Sequence, residues 1–228
     1  MMSDEDILEI KRNWRGPFHY SEASSDNSKG LITLFNPNYF SESDLTLLHA
    51  SDRILISSID VNNHKIVIIN VYSPCTVKEQ RSFLDKLRGI LTSLQEGGSN
   101  NILCMGDFNL TLSSADIIDV GNQHNTKNRL LFNQLLEDFG LTDSWRLDHP
   151  TEKSFTWCTP SFSSARRLDY IFTDESLGAY IHSSYIKNIG FSDHRLMPTG
   201  LEFDTFVKGK GIYRINTTLF KDINYCKM

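Results

Sequence analysis

Three features that would assign a class at once are missing from this sequence. It has four cysteines in 228 residues (Cys75, Cys104, Cys158 and Cys226), with no C-x-x-C pair and no ladder of short spacings. That excludes a disulfide scaffold or a zinc module and predicts a reduced intracellular protein, nuclear or cytoplasmic. No apolar run nears the roughly 18–20 residues of a membrane span. Met1 to Lys11 is acidic and amphipathic, where a signal peptide is basic and then apolar. A soluble chain with no membrane partner is therefore expected. Positive charge is not in excess either: 23 Lys+Arg against 28 Asp+Glu leave a net charge of -5. The surface as a whole is not a polycation for nucleic acid. The same acidity is compatible with a divalent-cation site, which needs clustered carboxylates.

What is present is enough apolar material for one large domain, since 39% of the residues are hydrophobic and 11% aromatic. Two apolar runs, Arg53–Val61 and Lys65–Tyr72, flank Asn62-Asn63-His64 and predict a β-hairpin. Phe83, Leu84, Leu87, Ile90, Leu91 and Leu94 share one helical face, and Gly97-Gly98 stops that helix. Asn101–Met105 reads as a short buried strand. Leu130, Leu131, Leu135, Leu136 and Phe139 mark a second helix closed by Gly140. Later strands are expected at Phe155–Trp157, Leu168–Phe172, Tyr180–Ile186 and Leu196–Phe203. This order favours an α+β fold, a mixed-sheet sandwich covered by helices. Ser21–Lys29 is a polar, Ser-rich loop, there is no internal repeat, and strand patterning is lost from Lys208 onward.

Three segments share one form, an apolar strand whose end presents acidic and polar residues. They are Ile102-Leu-Cys-Met-Gly-Asp107-Phe-Asn109, Arg167-Leu-Asp169-Tyr-Ile-Phe172 and Ser192-Asp193-His194. Asp107 and Asn109 are two apart, so on an extended strand end both point to one side. Asp193 would stand as a metal ligand beside the one side chain that titrates near neutrality, His194. Asp169 could hold that imidazole in one tautomer. Taken singly, Gly-Asp-Phe-Asn is an ordinary turn, Asp169 a strand-end cap and His194 a surface or core histidine. Together, in this order, they carry the parts of one phosphodiesterase site.

Asn70-Val-Tyr72-Ser-Pro74, Gly106-Asp107-Phe-Asn109, Leu168-Asp169-Tyr-Ile and Ser192-Asp193-His194 resemble the ordered motifs of the endonuclease/exonuclease/phosphatase superfamily. This is the family of DNase I and the apurinic/apyrimidinic endonucleases, and the resemblance runs from about Leu31 to Phe203. The tail Gly209-Lys-Gly-Ile-Tyr-Arg-Ile-Asn-Thr-Thr-Leu-Phe-Lys-Asp222 resembles the segment between endonuclease and reverse transcriptase in LINE-type (non-LTR) retrotransposon polyproteins. The fold so implied is a DNase I-like four-layer α/β/β/α sandwich. It would occupy residues 1–206 and be N-terminally truncated, with 207–228 a linker toward a reverse transcriptase region.

By the same resemblance Asp107 would align the attacking water, Asn109 would hold a phosphate oxygen and Tyr72 would contact the scissile phosphate. Asp193, with Asp107, would coordinate Mg²⁺ or Mn²⁺, which suit hard oxygen ligands. Asp169 would orient His194, the general acid/base or the group that steadies the phosphorane-like state. Thr156, Arg166 and Arg167 would help bind substrate, and the loops Ser161–Arg167 and Ser113–Lys127 would read groove shape. DNA is the implied partner of a monomer with no small-molecule cofactor. The resemblance fails at one place: neither Asn13 nor Glu5, Glu9 or Glu22 matches the family's strand-end Asn and metal-binding Glu. The chain is thus expected to be a nicking DNA endonuclease, weak or inactive as it stands. A catalytically dead DNA-binding remnant and a phosphatase of the same superfamily are the alternatives.

Overall fold

Strand β5 (His64–Tyr72) is apolar on both faces, which only a strand covered on both sides tolerates. Val67, Ile69 and Val71 enter one core cluster, while Ile66 and Ile68 enter another on the opposite face. In this computed structural model, which describes residues 4–22, 30–61, 64–118 and 126–203, β5 is central to a six-stranded sheet. The chain reaches it through helix α1 (Asp4–Asn13), the ribbon β1 (Phe18–Ser21) and β2 (Leu31–Leu34), then β3 (Leu45–Ala50) and β4 (Ile54–Val61). β4 and β5 form the expected antiparallel hairpin, with Ile54 opposite Val71; its turn residues Asn62 and Asn63 lie outside the described residues.

Helix α2 (Val77–Glu96) opens on Thr76, whose hydroxyl accepts the Glu79 N–H, and ends at Gly97. It buries Phe83, Leu84, Leu87 and Leu91, spaced to fall on one stripe. Each fully buried side chain of this kind contributes about 1.5–3 kcal/mol. The helix carries the chain over to β6 (Ile102–Asp107), which pairs parallel with β5. Helix α3 (Thr126–Asp138) follows the short β7 (Ile117–Ile118) and lies beside α2 on the same face of the sheet. Gly140 closes it at φ 60°, a left-handed position that suits glycine.

The rest of the chain is made of short pieces: β8 (Thr142–Asp143), helix α4 (Ser144–Asp148), β9 (Trp157–Cys158), β10 (Ala165–Arg166), β11 (Asp169–Thr173), helix α5 (Glu175–Gly178), β12 (Ile181–Ser184) and β13 (Thr199–Leu201). The large sheet runs β3-β4-β5-β6-β11-β8, and β7-β10-β9 form a small one. The face away from α2 and α3 carries the second cluster, of Leu45, Ile59, Ile66, Ile68 and Phe203. The ribbon β1–β2 lies against β4 and β5, and Leu201 of β13 packs on the second cluster. This is the helix-covered sheet sandwich of a DNase I-like fold.

One boundary differs from expectation by more than two residues. The final strand spans only Thr199–Leu201, not Leu196–Phe203. Pro198 offers no N–H to a ladder, and Leu196 is held instead in an isolated bridge to Lys187. The proposed linker 207–228 lies outside the described residues, as do most of Ser21–Lys29 and part of Ser113–Lys127.

Candidate active site

Three strand ends meet in one row. Asp107, the last residue of β6, is level with Tyr72 across the parallel pair and with Asp169 across the antiparallel pair with β11. Cross-strand neighbours of this kind sit about 4.5–5.5 Å apart at Cβ. By strand alternation Asp107 shares a face with Leu103 and Met105, which pack on the second cluster. The row therefore opens toward the second β layer and away from the helices.

Gly106 makes this row possible. Its φ is 137°, and a Cβ there would stand 2.0 Å from the Val71 carbonyl oxygen. No side chain fits where β6 approaches β5. Beyond Asp107 the strand stops, so Asp107 and Asn109 do not project side by side as an extended end would have them. Asn109 is left-handed at φ 48°, its N–H donates to Asp107 Oδ1 at 2.8 Å, and its Nδ2 donates to the Ser73 carbonyl at 2.7 Å. One amide hydrogen of Asn109 is thus committed to the fold, and the second remains as a donor.

His194 arrives from a separate loop. The Arg195 N–H donates to the Thr156 carbonyl at 2.7 Å, and His194 bridges Trp157, so β9 straps the Ser-Asp-His segment in place. His194 Nδ1 lies 2.9 Å from Asp169 Oδ2. With that N–H donated to the carboxylate, Nε2 is the nitrogen left for other work. Burial pushes the Asp107 carboxyl up to about 6, and Asp169 pushes it the same way; the Asn109 N–H and His194 oppose the rise. The hydrogen bond His194 donates to Asp169 raises the His194 pKa against burial, and the charges of Asp169, Asp107 and Asp193 add to the rise. Desolvation raises the Tyr72 phenol, with Cys75 and Asp107 adding, while Arg53, 5.1 Å over its ring, opposes.

Ligand atoms of Asp107, Asp169 and His194 lie within 4.8 Å of one another. Two crowded carboxylates, one of them held unfavourably ionised, together with an imidazole suit a hard divalent cation. Asp193 is outside this group. It is exposed, and its Oδ2 accepts the Trp157 indole N–H at 2.9 Å. Glu5 and Glu9 lie on α1 and Glu22 just after β1, and none of them joins the group.

The remaining expected substrate contacts separate. Thr156 is fully buried; its hydroxyl accepts the N–H groups of Leu168 and Asp169 at 2.9 and 3.0 Å. Its side chain is engaged in holding Asp169, which corrects the expectation that it meets substrate. Arg167 is a second correction. It is 1% exposed, with Nε 2.8 Å from Asp116 and Nη1 2.5 Å from Asp143. A buried guanidinium paired twice is structural. Arg166, its neighbour, projects the other way and lies 5.9 Å from the Trp157 ring. Sequence reasoning passed over Arg53, Trp157 and Arg195. Two of these directly follow motif residues, Thr156 and His194, which is the signal that could have found them.

Comparison with known proteins agrees with this fold. The model of the Endonuclease/Exonuclease/phosphatase family matches residues 3–194. A Xenopus laevis protein, the transposon TX1 uncharacterized 149 kDa protein, is 24% identical over 216 residues. The match takes in 94% of this chain but only 16% of that protein's length. Among solved structures, the AP endonuclease LMAP from Leishmania major superposes with a TM-score of 0.72 at 14% identity, covering 88% of this chain and 75% of its own. The endonuclease domain of TRAS1, a telomere-specific non-LTR retrotransposon, superposes with a TM-score of 0.64 at 17% identity, covering 87% and 91%.

Proposed function

The chain belongs to the endonuclease/exonuclease/phosphatase family, and on that premise we propose that it is a Mg²⁺- or Mn²⁺-dependent DNA endonuclease of the LINE-type retrotransposon branch. The observation that carries this reading is the convergence of Asp107, Asp169 and His194 from separate strand ends and a separate loop. In this reading residues 1–206 form the nuclease domain, which acts as a monomer, and 207–228 lead toward a reverse transcriptase region.

Hydrolysis of a phosphodiester needs a water aimed at phosphorus, a stabiliser for charge on the equatorial oxygens and a proton for the leaving oxygen. Asp107, ionised above about pH 6, takes the proton of the attacking water. The second amide hydrogen of Asn109 and the Tyr72 hydroxyl reach phosphate oxygens. His194, whose pKa its hydrogen bond to Asp169 raises, faces the developing negative charge. As the P–O bond to the leaving group breaks, water or His194 supplies its proton. A divalent cation at Asp107 and Asp169, with Asp193 close by, would supply charge neutralisation at the phosphate.

Nicking of supercoiled plasmid tests the reading. Activity should appear with Mg²⁺ or Mn²⁺, vanish in a chelator, and fall about 10²–10⁴-fold in His194→Ala. Full activity in a chelator, or unchanged nicking by His194→Ala, refutes it.

A further inference from the structure

A concavity of about 750 Å³ lies away from the acidic cluster, at the other end of β11. Asp169 opens that strand and Asp174, which lines the concavity, follows its last residue, a rise of about 13 Å or more. The floor and lip are apolar: Leu136 and Leu141 are buried, while Leu147 of α4 is 50% exposed. The charged residues lining it are all acidic, Glu137 at the end of α3 with Asp174 and Glu175 at the start of α5. Asp174 is committed to the fold, since its two oxygens accept the N–H groups of Ile102 at 2.9 Å and Leu177 at 3.0 Å. Glu137 and Glu175 are exposed.

The chain leaves β13 beside this concavity. Ala179 lines it, and the ring of the next residue, Tyr180, lies 4.6 Å from that of Phe203, the last described residue. The Glu202 N–H donates to the Tyr180 carbonyl at 2.8 Å, which fixes the point of exit. The sequence beyond is opposite in charge to the concavity, with Lys208, Lys210, Arg214, Lys221 and Lys227 against Asp204 and Asp222. Ile212, Tyr213 and Ile215 stand among the first cations. Residues 204–210 alone can span up to about 25 Å, more than a cavity next to the exit requires. We infer that residues 208–215 dock in this concavity, with Ile212 and Tyr213 against Leu136, Leu141 and Leu147, and Lys208, Lys210 and Arg214 facing Glu137 and Glu175. Apolar burial supplies the affinity and the charges fix the register. A segment tethered beside its site meets it at a roughly millimolar effective concentration, which favours it over a second copy. The docked segment is thereby held at the end of the sheet opposite Asp107 and His194, whatever those residues cut.

The test uses the full chain and a carbodiimide, which joins a lysine amine to a carboxylate as an amide with loss of water and no spacer, so that a link reports direct contact. Mass spectrometry of the digested protein should find Lys208 or Lys210 linked to Glu137 or Glu175. In a mixture of isotopically light and heavy chains these links should join residues of one chain. Ile212→Asp with Tyr213→Asp leaves every lysine in place and should cut the yield of the links about tenfold, as the loss of apolar burial implies. Reversing both sides, Lys208→Glu and Lys210→Glu with Glu137→Lys and Glu175→Lys, should preserve the links between the same positions. Absence of these links in wild type overturns the docking, as does their loss in the reversed chain. Links that survive undiminished in the Ile212→Asp, Tyr213→Asp chain overturn it too, because charge alone then makes the contact. Links between light and heavy chains give the concavity to a second copy and overturn it as well.

Discussion

Replacing Asp107 by Asn should make the metal-free protein more stable near neutral pH while abolishing nicking. The carboxyl is half-buried against Asp169 and sits at about 6 in place of the ordinary 3.8. Its folded pKa is raised, so the native state holds the proton more tightly than the unfolded chain between those values. Stability is then fully present below about pH 4 and is lost as pH rises through 6. At about 1.36 kcal/mol per pKa unit, ionised Asp107 costs the fold about 3 kcal/mol at pH 7.5. Asn keeps an oxygen for the Asn109 N–H and carries no charge. In a chelator at pH 7.5, Asp107→Asn should melt about 6–12 °C above wild type, given about 2–4 °C per kcal/mol for a chain of this size. The gap should close at pH 4, and Mg²⁺ should raise the melting temperature of wild type more than that of the variant. Thermal melts across pH, with and without chelator, decide the matter. A variant less stable than wild type at pH 7.5, or a gap independent of pH, would refute the assignment of strain to Asp107.

Other perturbations separate the parts of the scaffold. Gly106→Ala sets a Cβ against the Val71 carbonyl at a positive φ and should cost about 3 kcal/mol or more by denaturant unfolding; a loss under about 1 kcal/mol contradicts the close approach. Thr156→Val strips the Leu168 and Asp169 N–H groups of their acceptor, an expected loss of about 2–4 kcal/mol with slower nicking. Thr156→Ser should restore both, and a Thr156→Val enzyme of normal stability but weakened DNA affinity would return Thr156 to a substrate-binding role. Arg167→Leu leaves Asp116 and Asp143 buried with fewer counter-charges and should cost about 3–5 kcal/mol. Unchanged melting with reduced DNA affinity would instead put Arg167 on the substrate.

The parts of the fold legible in sequence were those encoded by local period. The alternation through β5 and the stripe on α2 have no competing reading at their lengths, and both appear within a few residues of where they were expected. The strand-end acids were legible too, because Asp107 closes one apolar run and Asp169 stands at the start of another. What did not show were facts of pairing between distant segments. Adjacent Arg166 and Arg167 look equivalent as a basic pair, yet on an extended chain neighbours point to opposite sides. The inward one is tolerated only because Asp116 and Asp143 come from other parts of the chain. The indole donor that occupies Asp193 likewise comes from Trp157, on the strap, and not from the motif itself.

The Gly-Asp-Phe-Asn segment shows how a costly site is held in a stable fold. Asp107 faces the cleft and destabilises the fold when ionised, and Asn109 sits in a left-handed conformation that costs further energy. Phe108 between them turns to the helix side, 1% exposed, with its ring 4.9 Å from Phe132, 5.2 Å from Phe172 and 6.0 Å from Tyr170. Burying one such ring contributes about 1.5–3 kcal/mol, and aromatic pairs add about 0.5–1.5 kcal/mol each. That is comparable to the cost of its two neighbours, so the segment is near balance on its own. The anchor also fixes position: Phe108 N–H donates to the Leu168 carbonyl at 2.8 Å, which ties the Asp107 and Asp169 strand ends together. An exposed turn with the same two polar residues would lack the anchor and could not hold two carboxylates opposed. The phenylalanine is therefore as much a part of the site as the acids beside it.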